Sequence, residues 1–219
     1  MIRLVIADDH AIMREGLKRI LDSAEDICVV GEATDGFEAL TLVRSVQFDL
    51  LLLDLSMPGR NGVELIKQIH DQAPRLPILV LTMHDEDHYA IRTIRAGARG
   101  YLTKVSAGTQ LLSAIRKVAA GRPFISNRVA EQLAMEVMPT EAVLPHRTLS
   151  NREFEVFMQL VSGASVSDIA TRLHLSAKTV SSHKTHILQK MQRKSVADLV
   201  RYAVAQRLLA PIQPEGEQP

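Results

Sequence analysis

Residues 50–59, LLLLDLSMPG, decide how this chain is to be read. Four leucines without polar alternation describe a strand covered on both faces, the pattern of a parallel sheet rather than of a half-solvated antiparallel one. The run ends on Asp54, and Pro58 and Gly59 mark the turn that leaves it. Asp8 and Asp9 close the first apolar run, Ile2 to Ala7, in the same way. Three carboxylates so far apart in sequence converge only if the two runs are neighbouring strands of one parallel sheet, where ligands collect beyond the carboxyl ends. Such a cluster suits a hard divalent cation such as Mg2+, held by one or two carboxylates and water with positions left for phosphoryl oxygens.

Outward from this point, apolar runs alternate with amphipathic stretches. Strands are predicted at Ile2 to Ala7, Ile27 to Glu32, Asp49 to Leu53, Ile78 to Leu81 and Gly100 to Leu102. Helical periodicity covers Ala11 to Leu21, Gly36 to Val46, Val63 to His70, Asp87 to Ala96 and Thr109 to Ala119. Five strand–helix units in series predict an α/β domain over residues 1–122, built on a doubly wound five-stranded parallel sheet. Residues 123–147 read as a linker with a helical segment, Ser126 to Glu136, followed by the proline-containing stretch MPTEAVLPHR. Residues 148–210 are helical throughout, with patterns over Asn151 to Ser162, Val166 to Leu173, Ala177 to Met191 and Val196 to Gln206, which predicts an all-α four-helix domain. The tail 211–219, PIQPEGEQP, has the composition of a disordered segment.

Composition narrows the class. The apolar fraction of 46% is ordinary for a globular protein. Cys28 is the only cysteine, so no internal disulfide is possible, and within its apolar run it reads as a small buried hydrophobe. The opening MIRLVIADDH is no signal peptide and no run reaches the ~20 apolar residues of a membrane span, so a cytoplasmic protein without a membrane partner is expected. The net charge of +1 conceals an asymmetry. Residues 1–125 carry 15 Lys+Arg against 16 Asp+Glu, a net of −1, whereas residues 147–207 carry 10 against 4, a net of +6. The basic helical domain is the candidate for a polyanionic partner.

Further residues belong to the acidic rim. Thr82 ends the fourth strand and Lys104 follows the fifth. Three carboxylates repel one another, so a metal and Lys104 are needed to keep Asp54 ionised and nucleophilic. A carboxylate so prepared can attack a phosphoryl group, with Mg2+ and Lys104 stabilising the charge on the transferring oxygens. Singly, each residue has a plainer role: an acidic pair after a strand commonly caps a helix, and Thr82 and Lys104 alone read as surface residues. Their joint placement, at successive strand ends, is what points to chemistry. A phosphatase of the dehalogenase type would also use Asp54 and Mg2+, but it wants a second carboxylate two positions on, where Ser56 stands.

With these residues in view, residues 1–122 resemble the receiver domain of two-component response regulators, a flavodoxin-like fold. The resemblance implies that Asp54 accepts a phosphoryl group from a sensor histidine kinase. It implies Asp9 as a direct Mg2+ ligand, Asp8 as a mostly water-mediated one and the backbone carbonyl of Ser56 as completing the set. It further implies that Thr82 and Tyr101 reorient on phosphorylation, that Lys104 pairs with the phosphoryl group, and that the side chains of Ser56 and His84 govern the access of hydrolytic water. Val105 departs from the family, in which a cis proline often follows the lysine.

The helical domain reads by its faces. On Ala177 to Met191, the residues Val180, Ile187, Leu188 and Met191 form an apolar stripe, and Ser176 is placed to cap the helix. Lys178, Ser181, Ser182, Thr185 and Gln189 fall opposite, rimmed by Lys190, Arg193 and Lys194, while Lys184 lies at the edge of the stripe with its ammonium within reach of a phosphate. Such a face suits a major groove, read through waters, the Thr185 methyl and DNA shape. A charged solvent face on a structural helix is the plainer alternative. Residues 149–191, LSNREFEVFMQLVSGASVSDIATRLHLSAKTVSSHKTHILQKM, resemble the DNA-binding domain of the LuxR type, which joined to a receiver defines the NarL/FixJ family. Thr179 and His183 sit at characteristic positions of that family, His183 as a packing and phosphate-contacting residue. The resemblance implies a transcription factor that binds double-stranded promoter DNA as a homodimer through its last helix and works with RNA polymerase. It implies no enzymatic activity beyond its own phosphorylation and dephosphorylation. A constitutive DNA-binding protein with an inert receiver is the alternative, and the intact acids, Thr82 and Lys104 count against it.

Overall fold

The leucine run forms β3 (Leu50–Asp54), the middle strand of a parallel sheet ordered β2-β1-β3-β4-β5, with β1 (Ile2–Ala7), β2 (Ile27–Ala33), β4 (Ile78–Thr82) and β5 (Gly100–Thr103). The computed structural model describes residues 1–57, 62–83, 87–137, 144–206 and 208–209, so expectations for Pro58, Gly59, His84, residues 138–143 and the tail lie outside it. The chain divides into two units, Met1–Thr140 and Glu141–Pro219.

In the first unit the period-two alternation of the strands sorts the core into two layers. Leu4, Ile6, Leu50, Leu52, Leu79 and Leu81 pack with α1 (Ala11–Leu21) and α5 (Ala107–Ala119) on one face. Val5, Ala7, Leu51, Leu53, Ile78 and Val80 pack with α2 (Gly36–Ser45) and α3 (Gly62–Gln72) on the other. β3 is buried along its whole length, which explains its unbroken leucines. Parallel register places Ala7 beside Leu53 and Thr82 beside Thr103, so the ends of β1, β3, β4 and β5 meet at one rim. Four strands run one residue past the predicted apolar runs, ending on Ala33, Asp54, Thr82 and Thr103, because each of these residues still pairs with its neighbour.

Helix α4 (Asp87–Arg95) precedes β5, and a 3-10 turn over Lys104–Ser106 connects β5 to α5. The helix expected within the linker, α6 (Asn127–Val137), packs on α4 as part of the first unit. The proline-rich stretch is likewise ordered where it is described again. Pro145–Thr148 form a 3-10 turn and His146 is buried, with Nδ1 2.8 Å from the Tyr202 hydroxyl. Residues 145–147 thus belong to the folded second unit, because an imidazole with a hydroxyl partner can enter a core.

The second unit comprises α7 (Asn151–Val161), α8 (Val166–Arg172), α9 (Ala177–Lys190) and α10 (Val196–Ala205). Capping boxes open α7, through Ser150 and Glu153, and α8, through Ser165 and Asp168, while Ser176 and Ser195 cap α9 and α10. Phe154, Phe157, Ile169, Val180, Ile187, Met191 and Leu199 form the core. Leu188, expected in the core stripe, is half-buried. Between α8 and α9 the chain turns at His174, whose φ of 51° is left-handed.

A substitution at the start of α3 tests the packing that carries β3 to its rim. A Cβ on Gly62 would lie 2.7 Å from the Leu55 carbonyl oxygen and 2.8 Å from its Cα, both backbone atoms. Gly62→Ala should therefore cost about 1–3 kcal/mol. Native-state hydrogen exchange should show the loss in the sheet amides while α7–α10 keep their protection.

Candidate functional site

At the rim, Asp8 and Asp54 are buried side chains, 2% and 1% exposed, and between them lies the ammonium of Lys104, itself 5% exposed. Lys104 Nζ donates to Asp54 Oδ2 at 2.8 Å and stands 2.7 Å from Asp8 Oδ2, an ion pair without a well-directed hydrogen bond. The Ser56 N–H donates to Asp54 Oδ1 at 3.1 Å. Asp9 is part-exposed, and His10 places Nδ1 2.8 Å from Asp9 Oδ1 and 3.4 Å from Asp8 Oδ1. His10, not Asp8 or Asp9, is the N-cap of helix α1, and Asp8 Oδ1 accepts from the His10 N–H at 2.8 Å. Thr82 is fully buried at the end of β4 and Tyr101 is half-buried on β5.

One ammonium serves two buried carboxylates, and the electrostatics follow from that shortage. Burial pushes the Asp54 carboxyl above its ordinary value, and the bonds to Lys104 and Ser56 do not bring it back. Burial acts in the opposite sense on Lys104, but its pairing with Asp54 and Asp8 outweighs this and holds it above its ordinary value. Asp8, Asp9, His10 and Asp54 each offer a ligand atom, all within 4.8 Å of one another, so the cluster can hold a metal ion. Asp8 Oδ2 and Asp9 Oδ1 are buried and accept no directed hydrogen bond among the described residues. This mainly carboxylate donor set fits a hard cation. His10 was missed in the sequence, although its place directly after the acidic pair was the available signal.

In the second unit, Lys178, Thr179, Ser181, Ser182, Thr185, Gln189, Lys190, Arg193 and Lys194 are all exposed, on α9 and just beyond it, while His183 and Lys184 are half-buried. Three of these hydroxyls are already engaged. Ser182 and Thr185 donate to the carbonyls of Lys178 and Ser181 at 3.1 Å, and Thr179 Oγ1 lies 2.8 Å from Ser176 Oγ. What Ser182 and Thr185 present outward is acceptor lone pairs and, for Thr185, a methyl. Lys190 departs from a freely swinging rim residue, since its Nζ lies 2.6 Å from Glu153 Oε2 in the α7 capping box. Burial pushes Glu153 up, but the hydrogen bonds from Lys190 and Ser150 outweigh it and leave the carboxyl below its ordinary value. Arg193 lies over the Tyr202 ring at 5.3 Å. Burial lowers the His183 imidazole below its ordinary value.

Comparison with known proteins assigns a family to each unit. Residues 4–116 match the response regulator receiver domain, and residues 147–203 match the luxR family of bacterial regulatory proteins. The oxygen regulatory protein NreC of Staphylococcus carnosus (strain TM300) is 40% identical over 214 residues, spanning 94% of this chain and 99% of that protein. Among solved structures, RcsB from Salmonella enterica serovar Typhimurium, bound to promoter rprA in the presence of the phosphomimetic BeF3-, is 29% identical. It covers 94% of this chain and 100% of its own, with a TM-score of 0.64. A Salmonella typhimurium RcsB structure is 30% identical over 93% of this chain and 97% of its own, with a TM-score of 0.68. A receiver domain followed by a DNA-binding output domain defines a response regulator. This chain belongs to that family, in the NarL branch with a LuxR-type helix-turn-helix domain, and is a transcription regulator rather than a classical enzyme.

Two expectations follow from the electrostatics. A raised carboxyl pKa favours the folded state fully below the ordinary Asp value of 3.8, and that contribution is lost as pH rises through the folded pKa, so ionised Asp54 weakens the metal-free fold. Asp54→Asn should stabilise the metal-free protein at neutral pH by on the order of 1 kcal/mol. Thermal melts should show the gain shrinking as pH falls. The lowered His183 pKa has the opposite sense: its contribution is present above the ordinary value of 6.5 and lost as pH falls through the folded pKa. NMR titration of the His183 ring should show it protonating below the ordinary histidine value of 6.5.

Proposed function

We propose that Asp54 accepts a phosphoryl group from a sensor histidine kinase, and that this controls the binding of a homodimer to promoter DNA through α9. The observation that carries the reading is the Lys104 ammonium held between Asp54 and Asp8, at 2.8 and 2.7 Å, at the rim of the sheet. An Asp54 oxygen attacks phosphorus, the bond from phosphorus to the donor imidazole breaks, and its electron pair leaves on the imidazole nitrogen. The Ser56 N–H and Lys104 hold the attacking carboxylate in place, and Lys104 then pairs with the charge on the phosphoryl oxygens. Asp8, Asp9, Asp54 and the Ser56 carbonyl would hold Mg2+, which supplies further positive charge against those oxygens. The protein catalyses its own phosphorylation and dephosphorylation and no other reaction. Thr82 and Tyr101 carry the change outward along β4 and β5.

On DNA, Lys178, Lys184 and Lys194 meet phosphates, with His183 beside them, while Ser181, Ser182, Thr185 and Gln189 face base edges and Thr179 supports the entry of α9. With hydroxyl hydrogens turned to helix carbonyls, Ser182 and Thr185 read by accepting from base amino groups and by methyl contact with thymine. The last helix, α10, supplies dimer contacts, and the bound dimer works with RNA polymerase in the cytoplasm. Of the relatives, RcsB is seen on promoter DNA and as dimers on DNA, which supports this reading.

Quantitative footprinting of the full chain with Mg2+ and a small acyl phosphate tests it. The phosphodonor should tighten binding to the operator, and Asp54→Asn should abolish that gain. Thr185→Ala should cost about 1–3 kcal/mol at the operator with little change on random DNA, whereas Lys178→Ala should weaken both and lower the salt slope by about 1. Equal losses for Thr185→Ala on operator and random DNA would show that α9 does not enter the groove with this face.

A further inference from the structure

The chain that leaves α5 is bonded onto the edge of β5. The Phe124 N–H donates to the Arg99 carbonyl at 3.0 Å and the Tyr101 N–H donates to the Phe124 carbonyl at 2.8 Å, a parallel bridge beside Gly100. Gly100 permits the approach: a Cβ there would lie 3.3 Å from Phe124 Cβ and closer still to Leu79 and Val118. From this edge the chain enters α6, whose Val129 is buried with Ala90 and Ile91 of α4, joined by Ile125, Leu133 and Tyr101. Tyr101 packs also against the second layer of the sheet core, in register with Val80 of β4. This side chain therefore belongs to two clusters, one beneath the acidic rim and one beneath α6. A cavity of about 290 Å³ lies alongside, lined by Tyr101, Thr103, Ser106, Phe124 and Val129 among others.

Gln132 Oε1, one turn beyond Val129, is buried with no hydrogen-bond partner among the described residues. A buried carbonyl left so costs about 1–3 kcal/mol. Val129 is the one fully buried side chain among the described residues of α6.

We propose that α6 is a strap whose docking on α4 and β5 opposes phosphorylation of Asp54, with Tyr101 as the shared element. The inference rests on Asp54 being the phosphoryl acceptor. In the docked arrangement Lys104 is paired with the free carboxylates of Asp54 and Asp8, and it begins the turn directly after β5. A phosphoryl group on Asp54 draws Lys104 onto new oxygens and moves the end of β5, two residues from Tyr101. The ring then leaves the cluster that seats α6. Coupling of this kind is reciprocal, so whatever loosens α6 must favour the phosphorylated state, and whatever tightens it must disfavour that state.

The test measures the affinity of the full chain for BeF3- with Mg2+, together with amide exchange over residues 125–134. Val129→Ser should speed exchange of α6 and tighten BeF3- binding about fivefold, and Gln132→Leu should slow exchange and weaken binding by a similar factor. Affinities that stay fixed, or that move in the same direction in both variants, would overturn the strap. So would α6 exchange that neither variant alters. Failure of the underlying reading looks different: the wild-type chain would not bind BeF3-, or Asp54→Asn would bind it equally well.

Discussion

The first unit depends on one ammonium shared by two buried carboxylates. Asp8 and Asp54 come to the same rim because β1 and β3 are neighbours, and Lys104 reaches them from beyond β5 past the buried Thr82 at the end of β4. The point between β1 and β3 is also where the order of a doubly wound sheet reverses, which opens a crevice at the carboxyl ends. A single lysine leaves the pocket short of positive charge, and burial keeps the Asp54 carboxyl high. This imbalance costs stability in the isolated fold. It also makes the pocket receptive to a cation and a phosphoryl group, in keeping with the expectation that perturbed carboxyls gather at functional sites.

The second unit solves a different problem, that of presenting a polar face on a helix that must also hold a core. Glu153 caps α7 and pairs with Lys190, which ties the end of α9 to the start of α7. Arg152 donates to Glu155 and to the Leu173 carbonyl at the end of α8, bracing the turn between the two helices. Of the ten Lys and Arg residues in 147–207, Arg152, Lys190 and Arg201 are thus engaged with Glu155, Glu153 and Asp198. Lys178, Lys184 and Lys194 carry no ion pair among the described residues.

The sheet and its rim were legible because their signals are local. Unbroken apolar runs identify doubly covered strands, and Asp54, Thr82 and Lys104 fall where those runs end. What escaped the sequence depends on long-range partners. The apolar side of α6 is visible as periodicity, but nothing in it says that Val129 meets Ala90 and Ile91, or that Phe124 adds to the edge of β5, since ladder bonds are made by backbone. His146 lies in a stretch with two prolines and reads as linker, because burial of an imidazole shows only once Tyr202 is known to be its partner. On α9 the faces were legible from periodicity, whereas the loss of hydroxyl donors to helix carbonyls and of Lys190 to Glu153 was not.

The central claim is that Asp54 is a nucleophile toward phosphorus. Incubation of the full chain with Mg2+ and a small acyl phosphate, followed by intact mass and peptide mapping, tests this most directly. The account predicts one added phosphoryl group, sensitive to hydroxylamine, on the peptide that carries Asp54 and absent from Asp54→Asn. A label on another residue, or one retained undiminished in Asp54→Asn, would contradict it.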